Sequence, residues 1–257
     1  MSSPPLPHDD NGQGAPLVLL HAFPVDARIW DPQRPALSSK RRVITPDFAG
    51  FGRARALATR TSIDTHADDI HALLDALEIP KATLIGLSMG GYVALAFARR
   101  HPERLSGLVL ADTRAGADSP EVSAGRLAMI AKVEAEGMAA LMDGLLPRLL
   151  SAAATPEVKE HVRRIALDQA PTGVIAAQRA MRDRPDQTQA LGAIDVPTLV
   201  IVGEHDAITP PADTARMVEA LRCATLEIVK GAGHLSNQEA PQAFNAALLA
   251  WLDSTGC

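Results

Sequence analysis

The stretch LIGLSMGGYVALAFARRHPERLSGLVLADT, residues 84–113, places a serine between two glycines where a short apolar run meets a longer one. The run before Ser88 predicts a buried strand, and the segment after it predicts a helix. A sharp turn from strand to helix strains the central residue and leaves no room for side chains two positions before and after it. Gly86 and Gly90 meet that requirement. The pattern therefore predicts a reactive Ser88 facing a helix N-terminus, rather than a serine that merely caps the helix.

Short apolar runs alternate with longer helical segments on both sides of this stretch. Val, Ile and Leu follow one another in these runs without polar alternation, which is typical of strands buried on both faces of a parallel sheet. The alternation predicts a doubly wound α/β fold with a mostly parallel sheet. The six predicted strands are 17–23, 41–48, 81–88, 105–113, 197–206 and 225–233.

Apolar spacing predicts two of the helices that would cover this sheet. The first carries a stripe that recurs every three or four residues, formed by Ile63, Ala67, Ile70, Leu74 and Leu77. Ser62 is the predicted N-cap of that helix. Phe244, Leu248 and Trp251 recur in the same way, so we expect the last helix also to pack against the core.

One segment interrupts the alternation. Between about Arg114 and Ile194 the sequence has helical stretches punctuated by proline and glycine, and no strand-like run. A helical insertion between two strands is expected to cover the C-terminal edge of the sheet, where ligands bind in open α/β folds, although it could also add packing alone. We expect a core domain of residues 1–113 and 195–257, with a helical cap of residues 114–194 inserted into it.

A serine hydroxyl needs a base to become a nucleophile at neutral pH, and a carboxylate normally orients that base. In folds of this kind the chain order is serine, acid, histidine, so four histidines qualify. His101 and His161 fall at a helix end and on a charged helix face, and His205 is adjacent to the candidate acid. His234 follows a strand on a glycine-rich loop that is free to reach across the sheet edge, and it is the predicted base.

The acid should follow one of the strands between the serine and the histidine. Asp206 comes just after a predicted strand and just before a proline-marked helix start, and it is the predicted acid. Two other carboxylates remain alternatives. Glu204 is nearer the strand end, and Asp112 ends the strand that follows the serine helix.

A tetrahedral oxyanion requires two preorganised N–H donors. The amide of Met89, directly after the serine, is one candidate. The second should come from the end of the first predicted strand and its loop, LLHAFPVDARIW at 19–30, where Pro24 has no amide hydrogen and Phe23 is the predicted donor. His21 in the same loop is expected to brace it rather than to act as a second base.

Five motifs in chain order resemble those of the α/β-hydrolase superfamily. They are HAF at 21–23, PDFAGFG at 46–52, GLSMGG at 86–91, VIVGEHDAITPP at 200–211 and GAGHLSNQEAP at 231–241. Within the superfamily the sequence is most similar to small bacterial carboxylesterases, 3-oxoadipate enol-lactonases and cofactor-free haloperoxidases. The resemblance implies the α/β-hydrolase fold with a helical cap, and a Ser88, Asp206 and His234 triad that cleaves a small ester or lactone through an acyl-enzyme.

Two features depart from the family pattern. Ala22 stands where the family usually has glycine, which is expected to narrow the space beside the oxyanion loop. Sixteen residues precede Leu17, where relatives carry a hairpin of two more strands, so we expect a shortened sheet at that edge.

Other functions remain open alongside the ester or lactone hydrolase. A carbon-carbon bond hydrolase or a perhydrolase would use the same triad, and a non-catalytic binding protein on this scaffold would need a broken one. The predicted substrate pocket is formed by Met138, Leu141, Met142 and Leu145, with neighbouring Leu146, although such helical spacing more often indicates packing of a cap against the core. A substrate with a free carboxylate would instead require an inward cation, and Arg126, Arg148 and Arg179 are candidates.

Composition narrows the classes of partner. The formal net charge is −5 and the 25 basic residues are scattered, so nucleic-acid binding is not expected. The two cysteines are too few for a disulfide framework. The N-terminus lacks the basic start and apolar core of a secretory signal, and no later run approaches the length of a membrane span. We expect a cytoplasmic enzyme that acts on a small molecule without a metal or organic cofactor. The oligomeric state stays undetermined at this level.

Overall fold

A computed structural model describes residues 5–256; residues 1–4 and 257, which fall in the predicted core domain, lie outside it. Within that range the chain forms one seven-stranded sheet. The strands are β1 His8–Asn11, β2 Pro16–Leu20, β3 Arg42–Pro46, β4 Ala82–Leu87, β5 Leu105–Ala111, β6 Thr198–Gly203 and β7 Ala224–Val229. The six predicted strands correspond to β2 through β7.

The order of strands across the sheet is β1-β3-β2-β4-β5-β6-β7. Strands β2 to β7 run parallel, and β1 pairs antiparallel with β3. Every residue of β4 and β6 is buried, because helices cover both faces of the sheet centre, as the continuous apolar runs predict. The fold is the predicted α/β-hydrolase fold.

Nine α-helices connect these strands within residues 5–256. They are α1 Arg34–Ser38, α2 Ile63–Ala76, α3 Met89–Arg100, α4 Pro120–Leu149, α5 Pro156–Leu167, α6 Pro171–Arg182, α7 Pro211–Ala220, α8 Ser236–Glu239 and α9 Pro241–Thr255. The predicted cap of α2 is confirmed, because Ser62 Oγ accepts a hydrogen bond from Thr65 N at 3.1 Å. The predicted apolar face of α9 is buried as well.

The edge strand β1 has no apolar signal in the sequence. Its residues, His-Asp-Asp-Asn, are half-buried or exposed, and its pairing with β3 is supported from the side by an ion pair between Arg42 and Asp10 at 2.7 Å. The sequence analysis assigns no strand before Leu17, so the structure adds one short strand at the edge where a shortened sheet is expected.

The segment between β5 and β6 contains α4, α5 and α6 and, within residues 112–197, no strand. The long helix α4 is interrupted at Gly137, where φ is 80° and ψ is −173°. No helix among residues 5–256 has both the length and the hydropathy that crossing a bilayer would require. The strand order places Ser88, Asp206 and His234 at the carboxyl ends of β4, β6 and β7, along one edge of the sheet.

Candidate active site

Ser88 links β4 to α3 in a backbone conformation that non-glycine residues rarely adopt, with φ 53° and ψ −109°. Its amide donates to Ala111 O of β5 at 2.8 Å, and Thr113 Oγ1 donates to Ser88 O at 2.8 Å. Strain of this kind persists where the surrounding structure over-determines the backbone. The end of β5 and the residues just after it therefore hold Ser88 through both its N–H and its carbonyl oxygen.

The glycines of the motif sit in close backbone contacts. A Cβ added to Gly86 would lie 2.4 Å from Gly90 O, and one added to Gly90 would lie 2.1 Å from Leu20 O in β2. A Cβ on Gly91 would lie 2.5 Å from the Thr113 side chain. These distances are well below van der Waals contact, so a Cβ at Gly86 or Gly90 would force neighbouring backbone to move. The turn from β4 to α3, which we call the elbow, therefore requires glycine at these two positions.

The three predicted residues meet in one chain of hydrogen bonds. His234 Nε2 lies 2.8 Å from Ser88 Oγ, and His234 Nδ1 lies 2.8 Å from Asp206 Oδ2. An ionised carboxylate only accepts, so Nδ1 carries the proton and Nε2 accepts from the serine hydroxyl. Asp206 and His234 are 3% and 2% exposed, and Ser88 is 9% exposed. This arrangement is suited to activating a serine for nucleophilic attack.

The Asp206 carboxylate is well supported by its own loop. It accepts hydrogen bonds from Ile208 N at 2.7 Å, from Thr209 N at 2.8 Å and from Thr209 Oγ1 at 2.6 Å. Burial alone would raise the pKa of Asp206, but the charge and hydrogen bond of His234 and the bonds from Thr209 outweigh burial and hold the pKa below its ordinary value. Asp206 is therefore ionised and able to stabilise an imidazolium.

The two alternative acids have other partners. Asp112 is fully buried and accepts hydrogen bonds from Gly203 N at 2.8 Å, Ser236 N at 3.2 Å and Ser236 Oγ at 2.6 Å. Burial and the charge of Asp206 raise the pKa of Asp112 to about 7. Glu204 is exposed and accepts from Gly231 N at 2.9 Å. Both carboxylates therefore tie loops together, and the hydrogen bonds of the His234 ring go to Asp206 and Ser88 instead.

The three alternative histidines lie elsewhere. His101 ends α3, and its Nε2 lies 2.9 Å from Asp68 Oδ1. His161, in α5, contacts Arg164, whose Nη2 lies 3.3 Å from His161 Nδ1. His205 is exposed, with its Nε2 3.9 Å from Glu204. Ser88 is paired with His234 instead.

The loop after β2 carries the predicted oxyanion donor Phe23. His21 braces this loop, because its Nδ1 donates to Ala22 O at 2.9 Å and its Nε2 accepts from Phe48 N at 3.0 Å. Burial lowers the pKa of His21, which keeps the ring neutral in this bracing role. Within this loop, Ala22 is fully buried, and Phe23 lines the cavity above Ser88.

Met89 is the first residue of α3, so its amide has no partner within the helix. That amide belongs to the helix N-terminus adjoining Ser88, where the helix dipole favours negative charge. Phe23 and Met89 thus approach Ser88 from β2 and from α3. Both placements are compatible with the two donors that an oxyanion requires.

A cavity of about 430 Å³ lies over Ser88 and His234. Its walls come from the β2 loop, the loop after β6, helices α4 and α6, and the segment that follows β5. Apolar wall residues include Met129, Leu145, Leu149, Met181 and Ile208. The cavity has the size and the mixed lining of a small-molecule site.

The predicted pocket residues lie partly elsewhere. Leu145 is in the cavity wall, and Leu146 packs half-buried against the core. Met138, Leu141 and Met142 are buried in the core cluster and are not among the lining residues. At these three positions the pocket prediction does not match the structure, because their face of α4 turns toward the protein interior. Apolar spacing identifies the buried face of a helix but does not say whether protein or a cavity lies against it.

The three candidate cations also differ in placement. Arg126 and Arg148 line the cavity. Arg179 is exposed on α6, where its Nη2 lies 3.9 Å from Glu134 and outside the cavity wall. A fourth arginine, Arg114, lines the cavity and has no role in the sequence analysis.

Comparison with known proteins identifies the family of this chain. The family model of the Alpha/beta hydrolase family matches residues 17–247. The chain belongs to the alpha/beta hydrolase family. The hydrolase is 30% identical to 3-oxoadipate enol-lactonase 2 of Acinetobacter baylyi over 235 residues, which cover 90% of this chain and 86% of that protein.

Solved structures show the same relationship. An esterase from Thermogutta terrifontis, solved with malate bound, superposes with a TM-score of 0.94 at 39% identity, covering 98% of this chain and 94% of that one. The enol-lactonase from Burkholderia xenovorans superposes with a TM-score of 0.90 at 32% identity, covering 96% of each chain. These similarities place the hydrolase among relatives that include esterases and enol-lactonases.

Sequence reasoning missed several residues of the hydrolase site. Thr113 and Thr209 hold Ser88 and Asp206, and Arg114, Tyr92 and Gln178 line the cavity. A threonine three positions after Asp206 is a recognisable side-chain turn pattern and offered a signal for that role. The cavity residues had no such signal, because their roles depend on how α4 and α6 cross the sheet edge.

One histidine-containing cluster in the described residues has the spacing of metal ligands. The donor atoms of His71, His101 and Glu103 lie within 4.8 Å of one another. His71 Nε2 is already 2.8 Å from Arg104 Nη1, and His101 Nε2 contacts Asp68. The cluster is at the C-terminal end of α3, so the length of that helix separates it from Ser88.

Proposed function

We propose that this hydrolase is a serine-dependent enzyme that cleaves a small carboxylic ester or lactone through an acyl-enzyme intermediate. The observation that carries the proposal is the hydrogen-bond chain from Ser88 Oγ through the His234 ring to Asp206, with 2.8 Å at both junctions. The relatives named as esterase and enol-lactonase favour the same reaction class. The substrate is a small molecule that fits the cavity above Ser88.

The first half of the reaction forms the acyl-enzyme. Ser88 Oγ attacks the substrate carbonyl carbon as its proton passes to His234 Nε2, and the carbonyl oxygen becomes an oxyanion. The amides of Phe23 and Met89 stabilise that oxyanion, and Asp206 stabilises the imidazolium. The tetrahedral intermediate collapses, the bond to the alcohol oxygen breaks, and His234 Nε2 returns the proton to the departing alkoxide.

The second half releases the acid. His234 Nε2 takes a proton from a water molecule, the hydroxide attacks the acyl carbon, and a second oxyanion occupies the same two amides. Collapse of this intermediate breaks the bond to Ser88 Oγ, which recovers its proton from His234. These residues complete the cycle without a metal or organic cofactor.

Helices α4 and α6 supply the roof of the proposed site. Residues 114–194 act as a cap in this proposal, because α4 and α6 contribute cavity wall directly over the proposed nucleophile. A cap of this kind excludes bulk water from the acyl-enzyme and limits the length of the acyl group. We expect a preference for short acyl chains, which fits the cavity volume of about 430 Å³.

The testing experiment measures initial rates on p-nitrophenyl esters of increasing acyl length and on small lactones. Ser88→Ala should lower turnover on the order of a million-fold. The matched control is Ser39→Ala, because Ser39 is an exposed serine just before β3, at the opposite edge of the sheet from Ser88. Ester hydrolysis retained by Ser88→Ala would overturn the mechanism.

A fluorophosphonate probe separates the remaining alternatives. Labelling at Ser88 without hydrolysis of any ester or lactone would indicate that the triad serves carbon-carbon bond cleavage or perhydrolysis instead. Absence of both labelling and hydrolysis would favour a binding protein. Labelling together with hydrolysis that falls with acyl length would support the proposed small-ester hydrolase.

A further inference from the structure

The wall of the cavity above Ser88 holds more basic than acidic side chains. Arg114, Arg126 and Arg148 line it, and Glu121 is the acidic residue among the lining groups within residues 5–256. A cavity built for a purely hydrocarbon acyl group has no use for three guanidinium groups, which lose hydration on enclosure. The partners of each charge indicate which of them are available to a ligand.

Arg126 is compensated within the protein. It forms an ion pair with Asp118, and its Nη1 donates to Gln178 Oε1 at 3.0 Å. The same Asp118 carboxylate accepts from Arg184 Nη1 at 2.6 Å, and the side chains of that pair are 1% and 2% exposed. One buried carboxylate thus serves two guanidinium groups, and Arg126 is committed to partners within the protein.

Arg114 is placed beside the proposed nucleophile and forms no ion pair among residues 5–256, although Tyr92 and the more distant charges of Asp118 and Asp213 act on it. It follows Thr113, whose hydroxyl binds the Ser88 carbonyl oxygen, and its half-buried side chain enters the same cavity. Its Nε is buried without a hydrogen-bond partner among the described residues. Burial alone would lower the pKa of Arg114, but contact with Tyr92 and the charges of Asp118 and Asp213 outweigh it and hold the pKa above its ordinary value. The Arg114 guanidinium is therefore charged, and its Nε–H donor has no acceptor among the described residues.

Arg148 and Glu121 mark the rim of the cavity. Both are exposed residues that also line it. The Glu121 carboxylate is held by Ser119 Oγ at 2.8 Å, at the start of α4. Arg148, near the end of α4, makes no ion pair with any residue in the range 5–256. The two arginines of the wall that form no ion pair within residues 5–256 are therefore Arg114 inside and Arg148 at the mouth.

We propose that the substrate carries a carboxylate remote from the scissile bond, and that Arg114, assisted by Arg148, binds it. This inference rests on the proposed ester or lactone hydrolysis and names its substrate class: a monoester of a dicarboxylic acid, or a lactone with a pendant carboxylate. A carboxylate accepts two parallel N–H bonds from a guanidinium, which would satisfy the unpartnered Nε together with one Nη. The chemistry at Ser88 is unchanged, and the anion fixes which end of the acyl chain lies deepest.

The test compares two esters of equal chain length on the intact protein. The p-nitrophenyl monoester of glutaric acid carries a terminal carboxylate, and p-nitrophenyl pentanoate carries a methyl group in its place. The intact enzyme should favour the glutarate monoester in kcat/KM. Arg114→Gln should lower the ratio of the two kcat/KM values by about 10- to 100-fold, mainly through KM of the charged ester.

Arg179→Gln is the matched control, because it removes the same charge from the same cap outside the cavity wall. An equal fall of the ratio in Arg179→Gln would attribute the preference to the overall field and overturn the assignment to Arg114. A ratio unchanged by both Arg114→Gln and Arg148→Gln would overturn it as well. Arg114→Lys, which keeps the charge but loses the two-pronged geometry, should fall between Arg114→Gln and the intact enzyme.

A binding measurement gives the same answer without turnover. Glutarate should raise the melting temperature of Ser88→Ala, and pentanoate at equal concentration should raise it less. If Arg114→Gln does not fold, this comparison together with Arg148→Gln decides the proposal. Hydrolysis of both esters at equal rates refutes the carboxylate site alone, whereas absence of hydrolysis and of fluorophosphonate labelling refutes the proposed function itself.

Discussion

The floor and the roof of the cavity are built on different principles. The floor consists of the loops at the strand ends that carry Ser88, Asp206 and His234, and its glycines, Gly86 and Gly90, touch neighbouring backbone. The roof consists of α4 and α6, and the glycines of α4 are uncrowded: nothing lies within 4 Å of a Cβ added to Gly125, Gly137 or Gly144. Backbone contacts fix the floor and also the start of α6, where a Cβ added to Gly173 would lie 2.1 Å from Gly50 O. Side-chain packing shapes the part of the roof that α4 contributes. The backbone around the proposed catalytic residues is therefore tightly constrained, whereas residues of α4 in the cavity wall can be substituted without displacing backbone.

After Ser88→Ala, the largest effect is expected from the acid of the floor. Asp206→Asn should lower kcat about ten-thousand-fold, because an amide cannot accept the His234 Nδ1 proton in the same way and favours the wrong tautomer. Ester hydrolysis under saturating substrate measures this directly. The control is Glu204→Gln, two residues away on an exposed side chain, which should keep kcat within a few-fold of the intact enzyme.

The opposite ranking of these two variants would move the acid to Glu204. A small effect of both would move it to Asp112, the buried carboxylate at the end of β5. Either result would break the comparison, since the floor would then tolerate a change in one of its supporting groups.

Glycine substitutions test the comparison through stability. Gly90→Ala should destabilise the protein by about 4 kcal/mol or more, because its Cβ would lie 2.1 Å from Leu20 O and a backbone strand must move. Gly144→Ala, in an open position of α4, should instead stabilise by about 0.5–1 kcal/mol through helix propensity. Urea unfolding of both variants is the measurement.

Equal effects of the two substitutions would contradict the difference between floor and roof. A well-folded Gly90→Ala protein in particular would mean that β2 and α3 can separate at the elbow. The strain at Ser88 would then not depend on that contact.

The floor could be predicted from the sequence because its rules are local. The turn at Ser88 needs glycines at fixed offsets, and the acid and histidine follow strands that read as continuous apolar runs. The strand order then brings Asp206 and His234 to the carboxyl ends of neighbouring strands. The polar edge strand β1 is the exception, since strand pairing rather than apolar residues creates it.

The roof could not be predicted in the same way. Met142 and Leu145 have similar hydrophobicity on one helix, yet Met142 is fully buried in the core and Leu145 lines the cavity. Arg114 and Arg179 are both arginines of the predicted cap, and only tertiary placement directs Arg114 inward. The rotation of a helix about its axis follows from packing against the rest of the protein, which periodicity does not encode.

Truncations in α4 sharpen this point. Met142→Ala should cost about 2–5 kcal/mol of unfolding free energy and leave the acyl-length preference unchanged, because the lost volume is in the core. Leu145→Ala should enlarge the cavity and shift the preference toward longer acyl chains. Unfolding curves and a series of p-nitrophenyl esters measure the two effects. A changed acyl preference in Met142→Ala would return that residue to the pocket.

A pH-dependent effect on stability is expected at Asp112. Burial and the charge of Asp206 raise the pKa of this carboxyl from 3.8 to about 7 in the folded protein. The folded state therefore binds the proton more tightly than the unfolded chain, so the stability it contributes is complete below about pH 4 and is lost as the pH rises through about 7. The asparagine of Asp112→Asn cannot ionise, so the variant does not lose this stability as the pH rises. Its stability relative to the intact protein should rise between those pH values and level off above them.

Denaturant unfolding of both proteins across this pH range distinguishes the two possible roles of Asp112. Asn still accepts from Gly203 N through its oxygen, but its amide faces Ser236 N, so the variant carries a cost that does not depend on pH. A stability difference that stays constant with pH would mean that the three hydrogen bonds from Gly203 and Ser236 keep Asp112 ionised. A stability difference that grows with pH would mean that ionised Asp112, beside the proposed acid, destabilises the folded state. Its structural role would then be to join the start of α8 to the ends of β5 and β6 through the hydrogen bonds from Ser236 and Gly203.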